Sequence, residues 1–155
     1  MKFLVDSPLG GLIKWLRFCG FDTSPLLLHP EAPHPLPPPV PGTYILTRQA
    51  PPKRLRRPDL LILTADQPQE QLEEVLRLLK ISRKDLSLLS RCSRCNDLLI
   101  PISRDQVQGQ VPEHIFLYHQ EFYECPRCRR LFWPGSHLED ITRKVLAKMG
   151  DEPRG

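Results

Sequence analysis

The chain has 155 residues, enough for one ordinary domain or for a small domain joined to a metal-stapled module. Its net charge of +4, from 22 basic and 18 acidic residues, permits a nucleic-acid partner without demanding one. The opening Met1-Lys2-Phe3-Leu4-Val5-Asp6 has a short apolar run that ends in a carboxylate, too short for a secretory or membrane-spanning segment. A cytoplasmic setting is expected, and there paired cysteines point to metal rather than to disulfides.

Phe3 to Val5 predict a brief buried strand. Ser7 is a good N-cap with Pro8 at the first helical position, where its missing N–H does no harm. Leu9, Leu12, Ile13, Leu16 and Cys19 then follow helical spacing, with Lys14 and Arg17 elsewhere on the wheel and Gly20 as a stop. Gly10 and Gly11 weaken this helix, so something other than propensity must hold it. Cys19 falls on its apolar face and reads as a small core residue.

Eleven of the 18 prolines lie between Pro25 and Pro58, which excludes an all-helical protein. The stretch 25–42 favours an extended polyproline form, a stiff connector or a ligand for an aromatic groove on a protein partner. Tyr44 to Thr47 predict a strand, followed by a basic loop with Lys53, Arg54, Arg56 and Arg57. Leu60 to Leu63 read as a buried parallel strand. Asp66 and Gln69 form a capping-box pattern ahead of a helix carrying Leu72, Val75, Leu76 and Leu79. Ser82 and Asp85 start a further short turn. Strand–helix alternation to Leu89 implies a small α/β layer, residues 1–89, followed by a second module, residues 90–155.

The second module carries two Cys-x-x-Cys knuckles, Cys92 with Cys95 and Cys125 with Cys128. Four thiolates complete a closed tetrahedral zinc site and leave no position for a reactive water, so a structural ion is expected. The 29 residues between the knuckles call for an inserted hairpin, with strands at Ile100–Ser103 and Glu121–Glu124. A helix from about Leu138 to Met149 closes the chain.

Phe3-Leu4-Val5-Asp6, Leu9-Gly10, Trp15-Leu16-Arg17 and Gly20-Phe21-Asp22-Thr23 resemble the opening of the Mut-seven C-terminal RNase domain family. The second module resembles it more densely, in Ser90 to Asn96, Val111-Pro112, Glu121-Phe122, Cys125-Pro126-Arg127-Cys128 and Trp133-Pro134-Gly135-Ser136-His137. That resemblance implies a PIN-like α/β fold followed by a zinc ribbon, here with a shortened middle. It also implies metal-dependent RNA cleavage, in which clustered carboxylates hold Mg²⁺ or Mn²⁺.

Asp6 stands at the family's first acidic position. Where the family has an Asp after Leu-Thr-Arg, this chain has Gln49, and the family's second helix gives way to the proline-rich stretch. Asp6 and Asp66 are the candidate catalytic carboxylates. Asp66 reads more simply as a helix cap, and for Asp6 a helix-dipole role stands equally beside a catalytic one, while Asp22 is turn-like and Glu31 sits among prolines.

Arg91, Arg94, Arg127, Arg129 and Arg130 are candidate phosphate contacts, as is the basic loop; the alternative is a solvated face. Phe122, Tyr123, Phe132 and Trp133 either stack on bases or fill the ribbon's core, and core filling is the simpler reading. His137 matches a family position and is either functional or a hydrogen-bonded structural residue. Three functional classes follow: an RNA-binding protein with lost or weakened nuclease activity, an active ribonuclease using Asp6, and a protein-interaction module of a larger assembly.

Overall fold

The computed structural model describes residues 1–28, 36–50 and 56–149, apart from the side chains of His137 and Lys148. Strand β1 (Lys2–Asp6) runs into a 3-10 turn over Ser7–Leu9 and then helix α1 (Gly10–Phe18). Strands β2 (Asp22–Leu26), β3 (Thr43–Thr47) and β4 (Leu60–Ile62) follow, and helix α2 spans Pro68–Leu78. The four strands pair in the order β2-β1-β3-β4, all parallel. Strand order reverses between β1 and β3, so the carboxyl ends of these two strands flank a topological switch point, where open α/β sheets bind ligands.

Strand β2 was not expected, because Asp22-Thr-Ser-Pro-Leu has a proline and little apolar content. It lies at the sheet edge, where Pro25 costs no ladder hydrogen bond on its solvent side. No helix stands among the described residues between β2 and β3, as the proline content predicts. Residues 36–42 are tied to the sheet at Arg57, which donates to the Pro37 carbonyl at 2.7 Å and pairs with Asp59. Lys53, Arg54, Glu31, His29 and His34 lie outside the described residues.

Gly11 accounts for the weak propensity of α1. A Cβ there would stand 2.7 Å from the ring of Pro68, so the glycine lets α1 and the start of α2 approach closely. The Asp66 capping box does not form. Pro68 presets the helical φ and fixes the start of α2, leaving Gln67 in extended backbone as the N-cap and Asp66 outside the helix. The turn at Ser82 forms as expected, with Ser82 and Asp85 reciprocally capped.

The second module is a three-stranded antiparallel sheet in the order β5 (Ile100–Ile102), β6 (Phe122–Glu124), β7 (Leu131–Phe132). The two expected strands pair, Ile100 with Glu124, and the connection between them holds two short helices, α3 (Arg104–Val107) and α4 (Glu113–Tyr118). Arg104 joins these helices by stacking 3.9 Å over Phe116 and donating to its carbonyl. Helix α5 (Ser136–Lys144) and a 3-10 turn over Leu146–Lys148 close the described chain.

One buried cluster joins the two modules. Phe3, Leu12, Leu16, Leu72 and Leu76 of the first pack in it with Ile141, Val145, Leu146 and Met149 of the last segment. Cys19 lies wholly buried in this cluster, and burial pushes its thiol up to about 12. No helix among the described residues is long and apolar enough to cross a membrane.

Candidate metal centre and acidic site

The two knuckles are the same turn built twice. The amide of Cys92 donates to the Asp97 carbonyl and that of Asn96 to the Cys92 carbonyl; Cys125 with Arg130 and Arg129 with Cys125 repeat the pattern. The residue after the second cysteine is left-handed in both, Asn96 at φ 70° and Arg129 at φ 64°. Asparagine tolerates that region well, whereas a long side chain occupies it under mild strain. Within each turn a backbone N–H also points at the first sulfur, Cys95 to Cys92 at 3.2 Å and Cys128 to Cys125 at 3.5 Å.

The four sulfurs lie within 4.8 Å of one another, and those of Cys92 and Cys128 are 3.8 Å apart. A tetrahedron with Zn–S bonds of about 2.3 Å has edges of about 3.8 Å. The donor set therefore fits one tetrahedral, thiolate-preferring ion, and none of the five cysteines forms a disulfide. Burial and the neighbouring thiols hold Cys92 and Cys95 above the ordinary thiol value, whereas the Arg130 amide draws Cys128 below it. An ion that takes all four must displace protons, so its affinity rises with pH.

The first knuckle is bolted to the parallel sheet. Arg17 of α1 donates from Nε and Nη2 to the Thr23 carbonyl and from Nη1 to the carbonyls of Ser93 and Arg94. Burial lowers the Arg17 pKa, opposed by the nearby Cys92, Cys95 and Asp22. Asn96 accepts from the Thr23 amide at 3.0 Å and donates to Asp22 at 2.7 Å. Asp22 thus has a structural partner, as its position before Thr23 suggests.

Of the candidate phosphate contacts, Arg91 is turned inward, donating to the carbonyls of Gly20 and Asn96. Arg127 pairs with Asp97 at 2.9 Å and Arg129 with Glu124 at 3.1 Å. Arg94 and Arg130 are exposed and have no ion-pair partner among the described residues. Phe122 is buried in the ribbon core, and Tyr123 and Phe132 pack against the main cluster, as core filling predicts. The His137 side chain lies outside the described residues.

Asp6 ends β1 beside the switch point and is only 1% exposed. The hydroxyl of Thr47, at the end of β3, donates to Asp6 Oδ2 at 2.8 Å and itself accepts from the Gln49 amide at 3.0 Å. The Gln49 side-chain amide reaches the same Asp6 oxygen at 3.4 Å, and the Leu28 amide reaches Oδ1 at 3.4 Å. A carboxylate at position 49 would repel Asp6 unless a cation stood between them; the amide of Gln49 donates to it instead.

Asp66 does not join this group. It is exposed and pairs with Arg48 at 3.2 Å. The other buried carboxylate among the described residues, Glu74, accepts from the Thr64 amide and hydroxyl and from the Ala65 amide, fastening the loop after β4. Among the described residues, the four cysteines are the one group of three or more His, Cys, Asp or Glu placed to hold an ion. Arg17 and Asn96 carry the joint between modules yet had no signal in the sequence beyond their local patterns.

Residues 1–145 match the family described as the Mut7-C RNAse domain. The chain has no match among curated proteins or among solved structures.

Proposed function

The chain belongs to the Mut7-C RNAse domain family, and from that membership we propose that it binds RNA with its nuclease chemistry lost or much weakened. The observation that carries the reading is the environment of Asp6. Its buried carboxylate is satisfied by Thr47, Gln49 and Leu28, and among the described residues it belongs to no group of three or more His, Cys, Asp or Glu placed to hold an ion. A hard divalent cation takes several oxygen ligands, and a lone carboxylate rarely holds Mg²⁺ or Mn²⁺ without oxygens from the substrate.

The four cysteines support a structural zinc, bound by Cys92, Cys95, Cys125 and Cys128. In this reading residues 1–89 are a reduced nuclease-like layer and the zinc-bearing module from residue 90 presents basic side chains to RNA. Arg94 and Arg130, which have no carboxylate partner among the described residues, are better placed for phosphates than Arg91, whose guanidinium is occupied by backbone carbonyls.

The test is a cleavage assay on single-stranded and structured RNA with Mg²⁺ and with Mn²⁺, run beside a binding titration over a range of salt. Binding with a steep salt dependence and no cleavage is the expected result. Cleavage abolished by Asp6→Asn would establish an active ribonuclease instead. Absence of RNA binding would favour the protein-interaction reading.

A further inference from the structure

A cleft of about 440 Å³ opens where α1 faces the ribbon. That volume falls within the range of roughly 300–1,000 Å³ common for small-molecule sites. Its accessible aromatic surface comes from the half-buried Phe132 and Trp133 on and beside β7, with Trp15 on α1 also lining it at 7% exposure. Lys14 on α1 and Arg130 just before β7 both line the cleft, and no Asp or Glu is among its lining residues. Lys14 is exposed, with its ammonium 5.2 Å from the Trp15 ring centroid.

Charge decides what such a cleft takes. Neighbouring arginines on the ribbon are neutralised, Arg127 by Asp97 and Arg129 by Glu124, whereas Arg130 keeps its charge unpaired among the described residues. Two cations over aromatic surface, with no carboxylate between them, suit a ligand that joins a planar ring to an anion. Ser136, at the first position of α5, stands at the same cleft, and no side chain caps that helix. A shallower pocket of about 320 Å³ continues past Arg130 and Trp133, so the surface extends beyond one residue of a linear ligand.

We infer that this cleft receives a base of single-stranded RNA against its aromatic surface, with the flanking phosphates on Lys14 and Arg130. The inference rests on the RNA-binding reading above and adds to it the site. That site is formed jointly by α1 and the ribbon and is separate from Asp6.

The chain has two tryptophans, Trp15 and Trp133, and both line the cleft. Intrinsic tryptophan fluorescence is therefore a reporter of its occupancy. The zinc-loaded chain of 155 residues is titrated with decaadenylate while binding is measured in parallel by filter retention. Saturable quenching that tracks retention is expected. Lys14→Glu with Arg130→Glu, both at exposed positions, should weaken binding at least roughly tenfold and lower the salt slope by about 1.4. Trp133→Ala should cost roughly tenfold through lost stacking.

Retention of the oligonucleotide with unchanged fluorescence and no effect of the charge reversals would overturn the cleft assignment while leaving RNA binding intact. No retention at all would overturn both. Quenching by a peptide of residues 29–41 but not by decaadenylate would show that the cleft takes an extended proline-rich segment instead.

Discussion

Asn96 and Asp22 meet at 2.7 Å, the side-chain amide of the first knuckle donating to the carboxylate that opens β2. The left-handed backbone of Asn96 closes the turn around two sulfurs, and its side chain holds the edge of the parallel sheet by two hydrogen bonds. The turn that shapes the metal site is thus also the contact that fixes the ribbon against β2. Arg17 completes the joint from the helix side with four donated bonds to three carbonyls.

Arg17→Ala should lower the unfolding free energy by about 2–3 kcal/mol, since it strands carbonyls that share a charged donor. Arg17→Lys should recover only part of this, because an ammonium cannot reproduce the guanidinium fork. Urea titrations of the two variants against wild type measure both effects.

One zinc per chain is expected by elemental analysis of purified protein. Removing it with a strong chelator should unfold the ribbon and, through Arg17 and Asn96, lower the melting temperature of the whole chain. Cys92→Ser should do the same without chelator. Apparent zinc affinity should fall as pH falls, because protons compete for the four thiolates; a competition titration with a chromophoric chelator at several pH values reads this directly.

Glu74 supplies a pH-dependent contribution with a definite sign. Burial acts to raise its pKa, but hydrogen bonds from Thr64 and Ala65 outweigh burial and lower it. The unfolded chain therefore takes up the proton first as pH falls. The stabilisation is complete above the ordinary glutamate value of about 4.3 and is lost as pH drops through the lowered folded value. Glu74→Gln should cost about 1–2 kcal/mol at neutral pH. The gap from wild type should narrow below about pH 4.3, as thermal melts across that range would show.

Gly20→Ala should destabilise by about 2 kcal/mol or more. Gly20 has φ +97°, and a Cβ there would stand 2.5 Å from the backbone oxygen of Ser87. Two costs add at one position, an unfavourable backbone and a clash with main chain that cannot swing aside. Equilibrium denaturation gives the magnitude.

The parts of the fold that were legible in sequence are those fixed by local chemistry. Cysteine spacing named all four sulfurs, and apolar runs named β1, β3 and β4. Asp6 was found through the family resemblance, as the residue at the family's first acidic position. What escaped depends on distant partners. Pro25 argued against β2 until its place at an edge was known, and Arg17 could only be placed off the apolar face of its helix, because its carbonyl partners lie up to 77 residues away. Asp66 failed for a local reason, since the Pro68 ring sets the helix start two residues beyond it. Gln49 was identified as a departure from the family, but its bond to Asp6 needed two strands brought side by side.

The shared core sets an order of events during synthesis. Leu12, Leu16 and Leu72 leave the ribosome well before Ile141, Val145 and Leu146, which pack in the same cluster. At translation rates of roughly 5–20 residues per second, this apolar surface waits on the order of several seconds for its cover. Cys128 emerges before Ser136, so all four thiols are available to an ion before the closing helix has been made. If the four thiols take an ion at that point, a nascent chain starved of metal is expected to hold that surface open longer.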